Sequence, residues 1–323
     1  MSLLSLLYFL LLISTSLCFQ QHNFISWSTI RLITGTCTST ELLAVSIDTG
    51  TKNSRTNDEQ LLQFTQVISD VDDTLKSSGG VNIAGVSLGG IDVQYERGDF
   101  YPGVAQFMLE LSRYGLPKSS KNCPAKIAIL TARAEEFKIA LEIKDSSKLA
   151  VALRTAGEDA GIEGWGVGPV FYGSVLEWVI QFRKGLRKFT NFERLIQQDP
   201  TGMIFQYIYV GDVGELDQEA GETMLREYPE LVKAVFLHVV TDQVGVSPII
   251  IPAPKFNNGR PVVFFRTYIG AAVDAVQLGL MDLDGLTSVI NAAIGKLSNV
   301  PETSDKWEDI RNDISRADTL CYT

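Results

Sequence analysis

From Gln66 onward, short apolar runs rich in β-branched and aromatic residues alternate with stretches of helical period. The runs are Gln66–Ser69, Lys126–Leu130, Pro169–Tyr172, Tyr207–Val210 and Ala234–Leu237, and the helical stretches are Val104–Arg113, Glu135–Glu142, Phe192–Gln198 and Glu219–Glu227. Runs this short and this uniformly apolar suit strands buried on both faces, and their alternation with helices is what successive βαβ units require. The expected fold class is α/β, with a Rossmann-like open parallel sheet. Such sheets bind ligands at the carboxyl ends of their strands, so the residues after each run carry the functional reading.

Composition narrows the partners. With 28 basic and 38 acidic residues the net charge is −10, which repels phosphate backbones at long range and excludes nucleic acid as the expected partner. The apolar stretch Leu3–Ile13 is short for a bilayer span and is followed by small residues before Phe19, as at the end of a signal peptide. Residues 1–18 therefore read as a leader into the secretory pathway, to a secreted or endomembrane-lumen destination, with an uncleaved anchor as the alternative because Met1-Ser2 carries no Lys or Arg. Residues 19–60, rich in Ser and Thr, read as an N-terminal extension or as the second half of a bipartite plastid leader. Removal of Cys18 with the leader leaves Cys37, Cys123 and Cys321, an odd number that supplies no disulfide framework. Residues 61–245 hold the alternating pattern, and residues 246–323 are expected to add a strand, Val262–Phe265, and helices packed on that core.

Three strand ends carry chemistry. The first run leads into Asp70-Val71-Asp72-Asp73-Thr74-Leu75, three carboxylates on a tight turn whose mutual repulsion calls for a cation or a reacting phosphoryl group. The second leads into Thr131-Ala132-Arg133, a hydroxyl and a guanidinium suited to phosphate oxygens. The fourth leads into Gly211-Asp212-Val213-Gly214-Glu215-Leu216-Asp217, further carboxylates on a glycine-bearing turn.

These motifs, in this order over about Gln66–Val240, resemble the haloacid dehalogenase superfamily of phosphohydrolases. The resemblance implies a magnesium-dependent phosphomonoesterase with an aspartyl-phosphate intermediate. It makes Asp70 the nucleophile, Asp72 the general acid and base, and Thr131 a hydrogen-bond donor to a phosphoryl oxygen, with Thr74 and Arg133 as substrate contacts. A lysine would balance the charge of nucleophile and phosphate. Lys188, ahead of the helical face of Phe192, Leu195 and Ile196, is the first choice and Lys184 the alternative. Magnesium would be held by Asp70, the backbone carbonyl of Asp72, Asp212 and Asp217.

Lys76–Gly103 is long enough only for a small flap or cap over the site, and its glycines suggest a hairpin. Within the superfamily, Ser69–Gly79, Tyr101-Pro102-Gly103-Val104 and Gly211–Asp217 look like the conserved-domain phosphatidate phosphatases of fungi and bacteria. That family has Ser-x-Ser-Pro-Trp at the second motif, where this chain has Leu130-Thr131-Ala132-Arg133-Ala134, so phospholipid is one candidate among phosphomonoester substrates. The other readings are a phosphotransferase or phosphomutase using the same residues, and a fold of this type that binds without turnover. Several singled-out residues have plain structural readings. Asp73 fits a turn or helix cap, His238 a packed core histidine, Asp282 a helix cap, and the basic run Arg183–Lys188 a solvated helix face.

Overall fold

The computed structural model describes residues 63–80, 82–83, 86–87, 90–116, 123–134, 143–173, 184–199, 202–214, 216–243 and 249–321, all within the compact unit Ala44–Thr323. The leader and extension read at residues 1–60, and the helix read at Glu135–Glu142, lie outside the described residues.

The sheet is built from β1 (Phe64–Ser69), β4 (Ile127–Ala134), β5 (Val167–Gly173), β6 (Ile204–Asp212), β7 (Val232–His238), β8 (Lys255–Asn257) and β9 (Arg260–Phe265), in the order β5-β4-β1-β6-β7-β9-β8. Every pairing is parallel except β8 with β9. The chain is thus an α/β protein with a mostly parallel seven-stranded sheet, compatible with a Rossmann-like open sheet. A separate antiparallel pair, β2 (Asn82–Ile83) with β3 (Val86–Ser87), lies between β1 and the first helix.

Helices α1 (Val104–Arg113), α2 (Lys148–Asp159), α3 (Lys184–Gln197), α4 (Asp217–Glu227), α5 (Tyr268–Gln277), α6 (Leu283–Lys296) and α7 (Asp305–Cys321) complete the described elements. Side chains alternate across a strand, and the central strands use both faces. Val67, Ile208 and Val210 pack with Phe107, Leu153, Tyr268 and Leu286 from α1, α2, α5 and α6. Their neighbours Ile68, Tyr207 and Tyr209 pack with Phe192, Ala220 and Met224 from α3 and α4. Burial on both sides is why these strands read as continuous apolar runs instead of alternating ones.

Two strands extend beyond their apolar runs and carry polar residues to the sheet edge. The second run continues past Leu130, so Thr131 lies within β4 and not beyond its end. The fourth continues past Val210, so Asp212 is the last residue of β6. At the C-terminal side, β9 is a parallel neighbour of β7, and α6 is capped by the Asp282 carboxylate, which accepts from Gly285 N at 2.8 Å.

His238 ends β7 and is buried among Tyr101, Phe265 and Tyr268. Its Nδ1 lies 2.8 Å from the Asp73 carbonyl and its Nε2 3.1 Å from the Arg266 carbonyl. Burial, with the nearby Arg266 guanidinium, lowers its pKa from 6.5 to about 4, against the opposing pull of the two carbonyls and Asp92. The unfolded chain therefore binds a proton at a pH where the folded chain does not. The stability this gives is complete above about pH 6.5 and is lost as pH falls toward 4, by on the order of 3 kcal/mol. Urea midpoints across that window should fall more steeply for the wild type than for His238→Gln, which keeps a donor but does not titrate. Equal slopes would contradict this role.

Candidate functional site

The carboxyl ends of β4, β1 and β6 lie side by side, and the register brings their polar residues to one edge. Ser69 is opposite Ile129 on one side and Val210 on the other, so Asp70 comes next on the central strand, level with Leu130 and Gly211 and one residue short of Thr131 on β4 and Asp212 on β6. The Asp70 amide donates to the Val210 carbonyl at 3.1 Å, which continues the ladder and fixes the start of the turn.

Asp70, Asp212 and Asp217 each place a carboxylate oxygen within 4.8 Å of the others, and all three residues are buried. Lys188 reaches them from α3. Its side chain is 2% exposed, its Nζ is 3.2 Å from Asp70 Oδ1, and it also donates to Asp217 Oδ1. Among the described residues these three carboxylates and one ammonium sum to a formal −2, and buried charge of this kind is costly unless it is balanced. Three hard oxygen donors at this spacing fit a divalent cation.

The loop after β6 is shaped to fold Asp217 back over the strand end. A Cβ at Gly211 would lie 2.5 Å from Asp217 Oδ2, and one at Gly214 would lie 2.8 Å from Asp212 Oδ1. Any larger residue at either position displaces a carboxylate. Leu216 caps α4 in the left-handed region at φ 63, a conformation unusual for leucine and held here by its surroundings. It places Asp217 in the first turn of the helix, where the Asp212 amide donates to Asp217 Oδ2 at 3.3 Å and the positive helix end favours a carboxylate.

The first acidic turn separates its three acids. Asp70 joins the buried cluster. Asp72 is 18% exposed and 3.7 Å from Lys76 Nζ. Asp73, in the left-handed region at φ 59, turns inward and accepts from three amides, those of Ser78 at 2.8 Å, Ile91 at 2.5 Å and Asp92 at 2.9 Å. Asp73 is thus neither a helix cap nor part of the carboxylate cluster. It clasps the two ends of the segment that carries the β2–β3 hairpin. Burial raises its pKa, and the amide donors oppose that shift. The neck of the same segment is held by Ser77 N to the Asp99 carbonyl at 2.8 Å and by Tyr101 Oη to Asp92 at 2.9 Å.

Thr131, on β4 one residue beyond the level of Asp70, is 2% exposed. Thr74 is fully buried in the turn, and its Oγ1 has no hydrogen-bond partner among the described residues. The Tyr209 hydroxyl on β6 is likewise buried and unpartnered. Burial and the carboxylates of Asp217, Asp70 and Asp212 hold its pKa well above the ordinary tyrosine value, against the pull of Lys188. Nothing in the sequence marked Tyr209, because it alternates with Ile208 and Val210 as a core residue would. Of the two candidate lysines, Lys188 lies in the cluster. The side chains of Lys184 and Arg133 lie outside the described residues, although their backbones belong to α3 and β4. The Asp72 side chain is not part of the carboxylate triad, which leaves its backbone carbonyl as the only ligand read for that residue.

Among the described residues no helix is long and apolar enough to cross a membrane. No protein-family model, curated protein or solved structure matches this chain.

Proposed function

We propose that the chain is a magnesium-dependent phosphomonoesterase of the haloacid dehalogenase type, with the β2–β3 hairpin as part of a small flap. The observation that carries the reading is the buried Asp70 carboxylate at the carboxyl edge of a parallel sheet, 3.2 Å from the Lys188 ammonium, with two more buried acids against it and a partly exposed acid two residues on.

Asp70, Asp212 and Asp217 would hold the cation, together with the Asp72 carbonyl. A bound divalent cation there supplies charge balance for the acids and for the phosphoryl oxygens. In the first step an Asp70 carboxylate oxygen attacks phosphorus and the bond to the leaving oxygen breaks, with Asp72 giving that oxygen its proton. In the second step water attacks phosphorus, Asp72 takes a proton from it, and the bond to Asp70 breaks. Lys188 offsets the negative charge shared by Asp70 and the phosphoryl group. The hydroxyls of Thr131 and Thr74 donate to phosphoryl oxygens, which gives the buried Thr74 Oγ1 a partner that the described residues do not supply. A site covered only by a flap leaves the choice of leaving group to the surfaces beside it, and phospholipid is one candidate in the test that follows.

The test is phosphate release from aryl phosphate, sugar phosphates and phosphatidate, with magnesium or with EDTA. Release should require the metal and return when magnesium is restored. Release that persists undiminished after EDTA treatment would contradict the role given to the carboxylate triad.

A further inference from the structure

Beside the first acidic turn lies a cleft of about 170 Å³ that the hydrolytic steps do not use, lined by Val71, Lys76, Phe100, Ile143, Lys148 and Leu149 among others. We propose that it is the leaving-group subsite of this enzyme, and that it selects phosphomonoesters whose leaving group is a single-ring-sized apolar body bearing a second anionic group. The proposal rests on the hydrolase reading.

Position ties the cleft to the reaction. Val71 stands between Asp70 and Asp72 in the chain. Lys76, on the wall, is 3.7 Å from Asp72, the residue that protonates the departing oxygen. Tyr101, next to Phe100 in sequence, hydrogen-bonds to Asp92 at the base of the flap. The cleft therefore adjoins Asp72, where the leaving group departs.

Size and lining define the occupant. A dry cavity of about 150 Å³ accepts benzene, so a space of about 170 Å³ holds one ring and not a pair of acyl chains. Phe100, Ile143, Leu149 and Val71 give it apolar walls. Two lysines line this small space, Lys76 beside the Asp72 carboxylate and Lys148 on the opposite segment, and Lys148 offers a positive charge to an anionic group on the ligand. Lys76 is 26% exposed, in a loose pair that contributes little. Lys148 is exposed and makes no ion pair among the described residues. Lys148 also opens α2, whose first turn carries no acidic residue, so the positive end of that helix adds to the field. Two cations and a bare helix start stand out in a chain of net charge −10.

Calorimetric titration of the full chain, in magnesium, with benzylphosphonate and with para-carboxybenzylphosphonate reads the subsite without turnover. The carboxylated ligand should bind about tenfold more tightly, as one charge-assisted hydrogen bond gives. Lys148→Ser, at an exposed position, should reduce that preference to within about twofold, and Phe100→Ala should weaken both ligands. Equal affinities in the wild type, or a preference unchanged by Lys148→Ser, would overturn the subsite even if phosphate release proceeds. The expected binding pattern without phosphate release from para-carboxyphenyl phosphate would overturn the hydrolase reading, and the leaving-group role with it.

Discussion

On the proposed mechanism Asp70→Asn should lower phosphate release by at least about a thousandfold, because an amide cannot form the acyl phosphate and no neighbouring acid occupies the same position. The fold survives the change. Asparagine has nearly the same shape, and the substitution removes one of three clustered buried carboxylates, two of which pair with Lys188. In the absence of divalent cation the variant should be as stable as the wild type or more stable, by on the order of 1 kcal/mol, since the mutual repulsion of the acids declines. Loss of activity with an unchanged or raised unfolding midpoint separates a chemical role from a structural one. Retained activity would remove Asp70 from the mechanism. Loss of activity together with a collapsed midpoint would assign Asp70 to the fold.

Lys188→Met has the opposite stability signature. The ammonium bridges Asp70 and Asp217 while almost fully buried, and its removal leaves the carboxylates unbalanced, at a cost of about 3–5 kcal/mol. Protonation of the acids removes that unbalanced buried charge, so the deficit against wild type is largest near neutrality and shrinks on acidification. A divalent cation narrows it as well, by binding the native cluster. On the proposed mechanism turnover should fall by about a hundredfold to a thousandfold even in variant protein stabilised by the metal, because the charge on the phosphoryl group would no longer be offset. Urea unfolding at two pH values, with and without magnesium, measures each of these. A deficit independent of both pH and metal would show that Lys188 contributes by packing alone.

Much of the frame was legible because the central strands are buried on both faces. Such strands are apolar without interruption, and β1, β6 and β7 fall where the runs lie, extended by a few residues at their ends. Helix α1 matches its periodic stretch from Val104 to Arg113 because Phe107, Met108 and Leu111 mark one apolar face. Lys188 was singled out by the helical face just beyond it, and Phe192 and Leu195 of that face are indeed buried against the sheet.

Other parts carried little signal. Helix α2 buries only Leu149, Ala150, Leu153 and Gly157, too few apolar positions to announce a helix. The clasp made by Asp73 joins residues 5, 18 and 19 positions away, and no local pattern encodes such a closure. The left-handed Leu216 is equally invisible, since leucine has no preference for that conformation. Glycines at 211 and 214 were legible as turn residues, but their steric relation to the two carboxylates emerges only when the loop is folded. The cleft beside Asp72 joins Val71, Phe100 and Lys148, three segments far apart in the chain, so it too required the fold.

The most direct measurement of the central claim is chemical trapping of the covalent intermediate. Asp72→Asn, which slows release of the phosphoenzyme more than its formation, is mixed with an aryl phosphate and magnesium, quenched in acid and reduced with borohydride. The peptide containing residue 70 is then read by mass spectrometry. Reduction of an aspartyl phosphate yields homoserine, and the expected result is homoserine at position 70, absent when EDTA replaces magnesium and absent in the Asp70→Asn, Asp72→Asn double variant. Wild-type phosphate release with no modification at Asp70 in the trapped sample would contradict the account.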